Sequence, residues 1–385
     1  MLCLEIFCNE GKQTVMALTG PFLLISRHDY RSKRKANVHF IAREFSLIGQ
    51  TRFFSSWFSL LSRVTKDQRL PLWNRANRVE LVNGVETFLW KTLLHPSKVP
   101  AFLQPVMDSW FKAYVSHAPD TLHKWIAESN SIFLESGGPE IFFDLVKQIN
   151  PDAKVIYICS DALGAIGCSN YVTRQLARIA PMLDGIRVPS KILASEFPVR
   201  GKVYFVPHGM DQDSFNTAGP SPYDGGINIV SVGDMLFDPG FFTLAAEAFP
   251  NINFHVIGGG EKSKTLAGSN IIVYGEMPFK DTLPYLKYAA AGVAPYMGDK
   301  VQPYLADTSM KLMQYGCLGL PAICPTIVAG DHVGRFGYIP GDRGSIKTAI
   351  ESALLNGCFK GKQVTSWAGV AERLLSREAF PDTKL

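Results

Sequence analysis

Residues 131–161 read "SIFLESGGPEIFFDLVKQINPDAKVIYICSD". The runs "SIFLES" and "KVIYICSD" are short and apolar, and "PEIFFDLVKQIN" between them repeats its apolar residues at helical spacing. This is a strand–helix–strand unit. Its strands lack the alternation of a half-exposed sheet, so they belong to a parallel sheet covered on both faces. Each strand closes on a carboxylate, Glu135 in the first and Asp161 in the second.

Working outward, "PFLLIS" (21–26) is another buried strand, followed by a basic helix through about Ile48. "TRFFSSWF", "ETFLWKTLL", "DGIRVPS" and "KVYFVPHG" are further strands. "VMDSWFKAYVSH" and "LHKWIAES" are amphipathic helices, with Trp110, Phe111 and Trp125 on their apolar faces. Residues 211–226, "DQDSFNTAGPSPYDGG", are rich in turn formers and read as a linker. Strand and helix signals then resume from "INIVSVGD" to "PAIC", which gives a second Rossmann-like domain. The expected organisation is α/β, with one Rossmann-like, doubly wound domain over 1–212 and a second over 226–362. A terminal helix in 363–385 is expected to return to the first domain. A chain of 385 residues fits two domains. Doubly wound domains facing a cleft hold ligands at strand carboxyl ends, where His28, Asp29, Glu135, Asp161, His208, Asp234, Glu276 and Tyr296 fall.

Apolar residues make up 46% of the chain and charged residues 19%, the balance of a protein with a large core. The net charge of +5 is unevenly spread: Arg27, Arg31, Lys33, Arg34, Lys35 and Arg43 face only Asp29 and Glu44 across 27–45. Such a run suits an anionic membrane surface or an anionic ligand, and a solvated basic face is the plain alternative. No nucleic-acid motif accompanies it. Seven cysteines without a C-x-x-C pair argue against a disulfide framework and a zinc site, and for a reducing setting. Glu5 and Glu10 do not suit a signal peptide, and no run of apolar residues is long enough to span a bilayer. The expectation is a protein that is soluble or lies on a membrane, and does not cross one.

In "ADTSMKLMQYGCLGLPAIC" (306–324), Asp307, Thr308 and Ser309 can each cap a helix that Gly319 and Pro321 end. Met310, Met313 and Cys317 fall on its core face, while Lys311 and Gln314 share another. A lysine at a helix N-terminus can hold a phosphate; it can also be simply solvated.

The motifs "VSVGD", "HVIGGG" and a helix ending in "GLP" resemble the nucleotide domain of GT-B glycosyltransferases. A longer set is similar to the bacterial glucuronosyltransferases of xanthan-type exopolysaccharide assembly. It includes "RHDYRSKRKANVHFI", "TRFFS", "RLPL", "SDAL", "GDMLFDP", "IIVYGEM", "YLADTSMKLMQY", "GLPAICP" and "RFGYIPG". These run in order from about residue 20 to the C-terminus. The resemblance implies an inverting, metal-free and cofactor-free transfer of glucuronic acid from UDP-glucuronate. The acceptor would be a polyprenyl-diphosphate-linked oligosaccharide at the cytoplasmic face of the inner membrane, and the new linkage β.

It also implies roles. Asp161 corresponds to the general base, with a helix cap as its ordinary alternative and His28 and Asp29 as rival bases. Lys311, with Ser309 and the helix start, meets the diphosphate, and Gln314 holds the ribose. Glu276 and Met277 flank the uracil, Met235 and Met310 lie on the donor side, and Tyr296 closes the cleft floor. Arg31, Lys33, Arg34 and Lys35 belong to the acceptor and membrane side. Asp234 departs from the family, where a small hydroxyl residue is expected. "GGGEKS" lacks the third glycine of a dinucleotide fingerprint, and the D-x-D at 211–213 sits in the linker, where turn chemistry is expected. A UDP-sugar epimerase, a transferase of another UDP-sugar and an inactive sugar-nucleotide module are the competing readings.

Overall fold

In the computed structural model the strands β5 (Ser131–Glu135) and β6 (Lys154–Ile158) pair in parallel, residue 131 opposite 154. The structure describes residues 18–97, 104–199, 201–211, 215, 219–298 and 301–385. The N-terminal segment with Cys3, Cys8, Glu5 and Glu10, and Gln212 and Asp213 of the D-x-D, lie outside the described residues. The chain forms two units, one up to Val206 together with Trp367–Leu385, the other Pro207–Ser366.

The first unit holds an eight-stranded sheet. β1 (Phe22–Ser26), β2 (Thr51–Ser59), β4 (Val85–Thr92), β5, β6, β7 (Gly185–Val188) and β8 (Val203–Phe205) are parallel. β3 (Val79–Val82) is an antiparallel edge that turns into β4 through Asn83-Gly84, both at positive φ. The order β3-β4-β2-β1-β5-β6-β7-β8 puts β1, β5 and β6 side by side in the middle. β1 and β5 are buried at every residue, as a continuous apolar run in a covered parallel sheet should be. The helix Asn37–Ile48 follows β1 and turns its apolar face inward, burying Val38, Ile41, Ala42 and Phe45. Against it packs the helix Trp367–Leu375, where Trp367 stacks on Phe40 with centroids 4.6 Å apart.

The second unit is a six-stranded, wholly parallel sheet in the order β11-β10-β9-β12-β13-β14. Its strands are β9 (Ile227–Val232), β10 (Ile252–Ile257), β11 (Ile271–Tyr274), β12 (Ala291–Val293), β13 (Ala322–Pro325) and β14 (Arg335–Tyr338). Ile229, Phe242, Phe254, Val293, Ile323 and Ile350 lie in its core. Met210 and Phe215 pack against Leu283 of this unit, so its packing begins before the turn-rich stretch ends. Gly319 ends the helix Met310–Leu318 at φ 66, and any Cβ there would run into the Phe359 carbonyl. No helix of the described residues is long and apolar enough to cross a membrane.

Candidate active site

In the first unit the carboxyl ends of β1, β5 and β6 bring together Ser26, His28, Glu135, Ser160 and Asp161. Glu135 is 3% exposed. One of its carboxylate oxygens accepts from the Ser26 hydroxyl, the other from the Ser160 hydroxyl at 3.1 Å. His28 Nε2 stands 3.8 Å from the same carboxyl. Burial pushes Glu135 up to about 7; the Ser26 and Ser160 hydroxyls oppose this and the charge of Asp161 adds to it. Burial pulls His28 down to about 4, helped by the cations Arg69 and Arg27, so its imidazole is neutral at pH 7. Asp161 is half-buried, and its backbone N–H reaches the Ser136 hydroxyl at 3.4 Å. Its charge acts on both Glu135 and His28.

Asp29 drops out as a rival base. It is wholly buried and holds the Arg31 guanidinium through both oxygens, at 2.9 and 2.8 Å. The same bonds correct the placement of Arg31 on a membrane face: its side chain is 3% exposed and also bridges Glu80 at 2.9 Å. Lys33, Arg34 and Lys35 are exposed. Lys35 Nζ donates to the Tyr30 carbonyl at 2.6 Å and, with Arg31, Phe40 and Arg43, lines a cavity of about 410 Å³.

Beside the Glu135 cluster a second cavity, about 240 Å³, is lined by Arg27, Trp57, His95, Gly137, Cys168 and Ser169. Trp57 sits at φ 56, where the register of β2 against β4 breaks, a conformation that bulky residues avoid. Arg69 holds it there, donating to the Ser56, Trp57 and Arg27 carbonyls at 2.8, 2.7 and 2.5 Å while Asp67 grips the guanidinium at 2.8 Å.

In the second unit Ser309 is the N-cap of the helix Met310–Leu318, accepting from the Leu312 N–H at 3.2 Å. Thr308 ends the short helix before it. Tyr296, wholly buried, is hydrogen-bonded to the same Ser309 hydroxyl. Tyr296 therefore braces the helix start from beneath and presents no face to a ligand, a correction to its expected place on a cleft floor. Met310, half-buried, packs part of its surface against the cluster of Met210, Phe215 and Leu283. Lys311 is 7% exposed; its ammonium donates to the Ser231 hydroxyl and the Gly233 carbonyl, both at 3.4 Å, and lies 5.6 Å from the centroid of the Tyr296 ring. Burial pulls it down to about 7 against the opposing charge of Asp234. The solvated-lysine alternative is thus removed.

Asp234 lies against Gly260, and Glu276 against Gly258, where both glycines take positive φ. The loops after β9, β10 and β11 therefore converge. Glu276 and Met235 are exposed, while Met277 and Gln314 are half-buried. The helix after this loop is capped by Asp238, whose carboxylate accepts from the Gly240 N–H at 3.0 Å. A cavity of about 300 Å³ is lined by Asp234, Gly259, Gly260, Lys262 and Met297. Lys262 is a second cation at these strand ends. Sequence reasoning passed over it because "GGGEKS" was weighed only as a dinucleotide motif.

The family model for the N-terminal domain of the glucuronosyltransferase GumK matches residues 24–189. A UDP-glucuronate:glycolipid 2-beta-glucuronosyltransferase from Xanthomonas campestris pv. campestris is 45% identical over 365 residues, 94% of this chain and 91% of that protein. Among solved structures, Anabaena HepE in complex with UDP and glucose gives a TM-score of 0.60 at 13% identity, covering 93% and 99% of the two chains. The UDP-GlcNAc 2-epimerase of Methanocaldococcus jannaschii gives 0.53 at 8% identity, covering 93% and 99%. The fold is GT-B, and fold alone does not separate a transferase from an epimerase.

Proposed function

This chain belongs to the GumK family of glucuronosyltransferases, and from that premise we propose that it moves glucuronic acid from UDP-glucuronate onto a glycolipid acceptor with inversion. The observation that carries this is the likeness to the Xanthomonas transferase along nearly the whole of both chains. The epimerase reading has only the shared fold behind it.

In the proposed step an acceptor hydroxyl oxygen bonds to C1 of the sugar as the C1–O bond to UDP breaks. Asp161 takes the hydroxyl proton, and inversion leaves a β-linkage. Asp29, locked to Arg31, is a poorer base, and His28, neutral at pH 7, is the rival that Asp161→Asn tests. The Arg27–Trp57 cavity lies at the same strand ends as Asp161, which supports an acceptor seat there. On the donor side Lys311 meets the diphosphate and neutralises the charge that grows as UDP leaves. Gln314, Glu276, Met277 and Met235 frame the nucleoside, and Ser309 acts as the cap that fixes Lys311. The acceptor is proposed to be a polyprenyl-diphosphate-linked oligosaccharide in exopolysaccharide synthesis, reached from an anionic membrane surface at the cytoplasmic face through Lys33, Arg34 and Lys35.

The test is UDP release by purified protein with UDP-glucuronate, UDP-glucose and UDP-N-acetylglucosamine, with and without lipid-linked acceptor. Acceptor-dependent release from UDP-glucuronate is expected, and acceptor-independent isomerisation of a donor would overturn the reading. Glutamine at Lys33, Arg34 and Lys35 together should weaken binding to anionic vesicles by about 1 kcal/mol per residue. Salt-independent binding, equal in both proteins, would make the run a solvated face.

A further inference from the structure

Glu135 is the last residue of β5, between β1 and β6, and its two oxygens reach in opposite directions along the sheet edge. Toward β1 it accepts from Ser26, whose hydroxyl in turn accepts from the His28 N–H at 2.8 Å. Toward β6 it accepts from Ser160, the residue before Asp161. That hydroxyl is also met by the Asn37 amide at 3.0 Å, and the Ser160 N–H donates to Ser136 at 3.0 Å. A single buried carboxyl thus joins the loop that carries His28 to the loop that carries Asp161. A carboxylate held by neutral hydroxyls is a costly way to brace two loops, since burying a charge is expensive without a paired cation. An amide or hydroxyl would brace them more cheaply, so the ionisable group itself calls for an explanation.

We propose that Glu135 is a positioning residue for the transfer, fixing the Asp161 loop and adjusting how readily Asp161 takes a proton. This rests on the reading of Asp161 as the base. The charged and titratable groups around Glu135 are Arg27 and His28 from the β1 end, Asp161 beyond β6 and Arg187 on β7. At low pH Glu135 is neutral. As pH rises it ionises, grips both hydroxyls more strongly and places a negative charge near Asp161, which makes Asp161 the better base. Its position near pH 7 puts this change within the working range.

The experiment is kcat against pH, with KM for UDP-glucuronate and melting curves, for the parent, Glu135→Gln and Glu135→Asp. Glu135→Gln should lower kcat by about 10- to 100-fold, the scale of a misplaced reacting group, with KM little changed. It should also lose the rise in kcat near pH 7. Glu135→Asp keeps the carboxyl and should retain that rise at a reduced rate. A Glu135→Gln profile that keeps both the rate and the rise would overturn the proposal. So would a loss of rate that keeps the rise and merely follows a lowered melting temperature. Should Glu135→Gln not fold, Ser26→Ala and Ser160→Ala each remove one tie; both are expected to lower kcat and shift the rise, and unchanged profiles in both would overturn the idea. Asp161→Asn, run alongside, keeps the two readings apart. Activity within a few-fold of parent there removes the base assignment, whereas the role of Glu135 is read from the pH profile.

Discussion

Glu135 and Lys311 are both buried and both sit near pH 7, yet they differ in how their surroundings treat them. Glu135 is raised to about 7 from 4.5 while accepting two hydroxyl hydrogen bonds. Lys311 is lowered to about 7 from 10.5 with two contacts no closer than 3.4 Å. The carboxyl is already satisfied within the protein, as suits a part that holds others in place. The ammonium, with long contacts and a single opposing carboxylate, suits a group whose proper partner is a bound anion. Their effects on stability run in opposite directions. Glu135, with its folded pKa raised, contributes stability at low pH that is lost as pH rises from about 4.5 through about 7. Lys311, with its folded pKa lowered, contributes most above about 10.5, and that contribution is lost as pH falls through about 7.

The comparison is tested most strongly by asking whether the two units divide chemistry from binding. Asp161→Asn should lower kcat by ~10²–10⁴-fold while UDP affinity, measured by calorimetry, stays near that of the parent. Equal losses in both would erase the division. Lys311→Ala should weaken UDP binding by ~1.5–3 kcal/mol, the worth of a charge-assisted hydrogen bond. Lys311→Met, which keeps the volume, should melt above the parent at pH 6 and approach it toward pH 10. Parallel melting profiles would show that the lysine carries no burial penalty. The smallest effect is also the most specific. UDP binding should take up about one proton at pH 8 and almost none at pH 6, because the diphosphate recharges Lys311. Calorimetry in buffers of differing ionisation heat measures this, and uptake independent of pH would place the proton elsewhere.

Reading the chain alone reached the parallel sheets through continuous apolar runs such as "FLLIS" and "IFLE", because a strand covered on both faces has no polar face to display. It narrowed the helix cap to Asp307, Thr308 and Ser309 because capping is local, and the structure selects Ser309. The β3–β4 hairpin went unread although Asn83-Gly84 is a strong turn signal, since its strands alternate weakly and lie at the sheet edge. Arg31 was misplaced because its partners are split: Asp29 is two residues away, but Glu80 is forty-nine. A basic run looks the same in a sequence whether or not a distant carboxylate claims one of its members.

What the sequence by itself determined was therefore the local and the periodic: the alternation of strands and helices along the chain in outline, some helix starts and stops, and which residues close strands. Motif likeness added Asp161 and Lys311. The tertiary structure alone decided how deep those residues lie and what touches them. Burial and hydrogen bonding depend on elements brought together from far along the chain, as when Ser26 meets Glu135 across 109 residues and Lys311 meets Ser231 across 80. Ionisation follows from that surrounding and not from residue type. The same glutamate on a solvated helix would be an ordinary carboxylate, and the same lysine an ordinary ammonium.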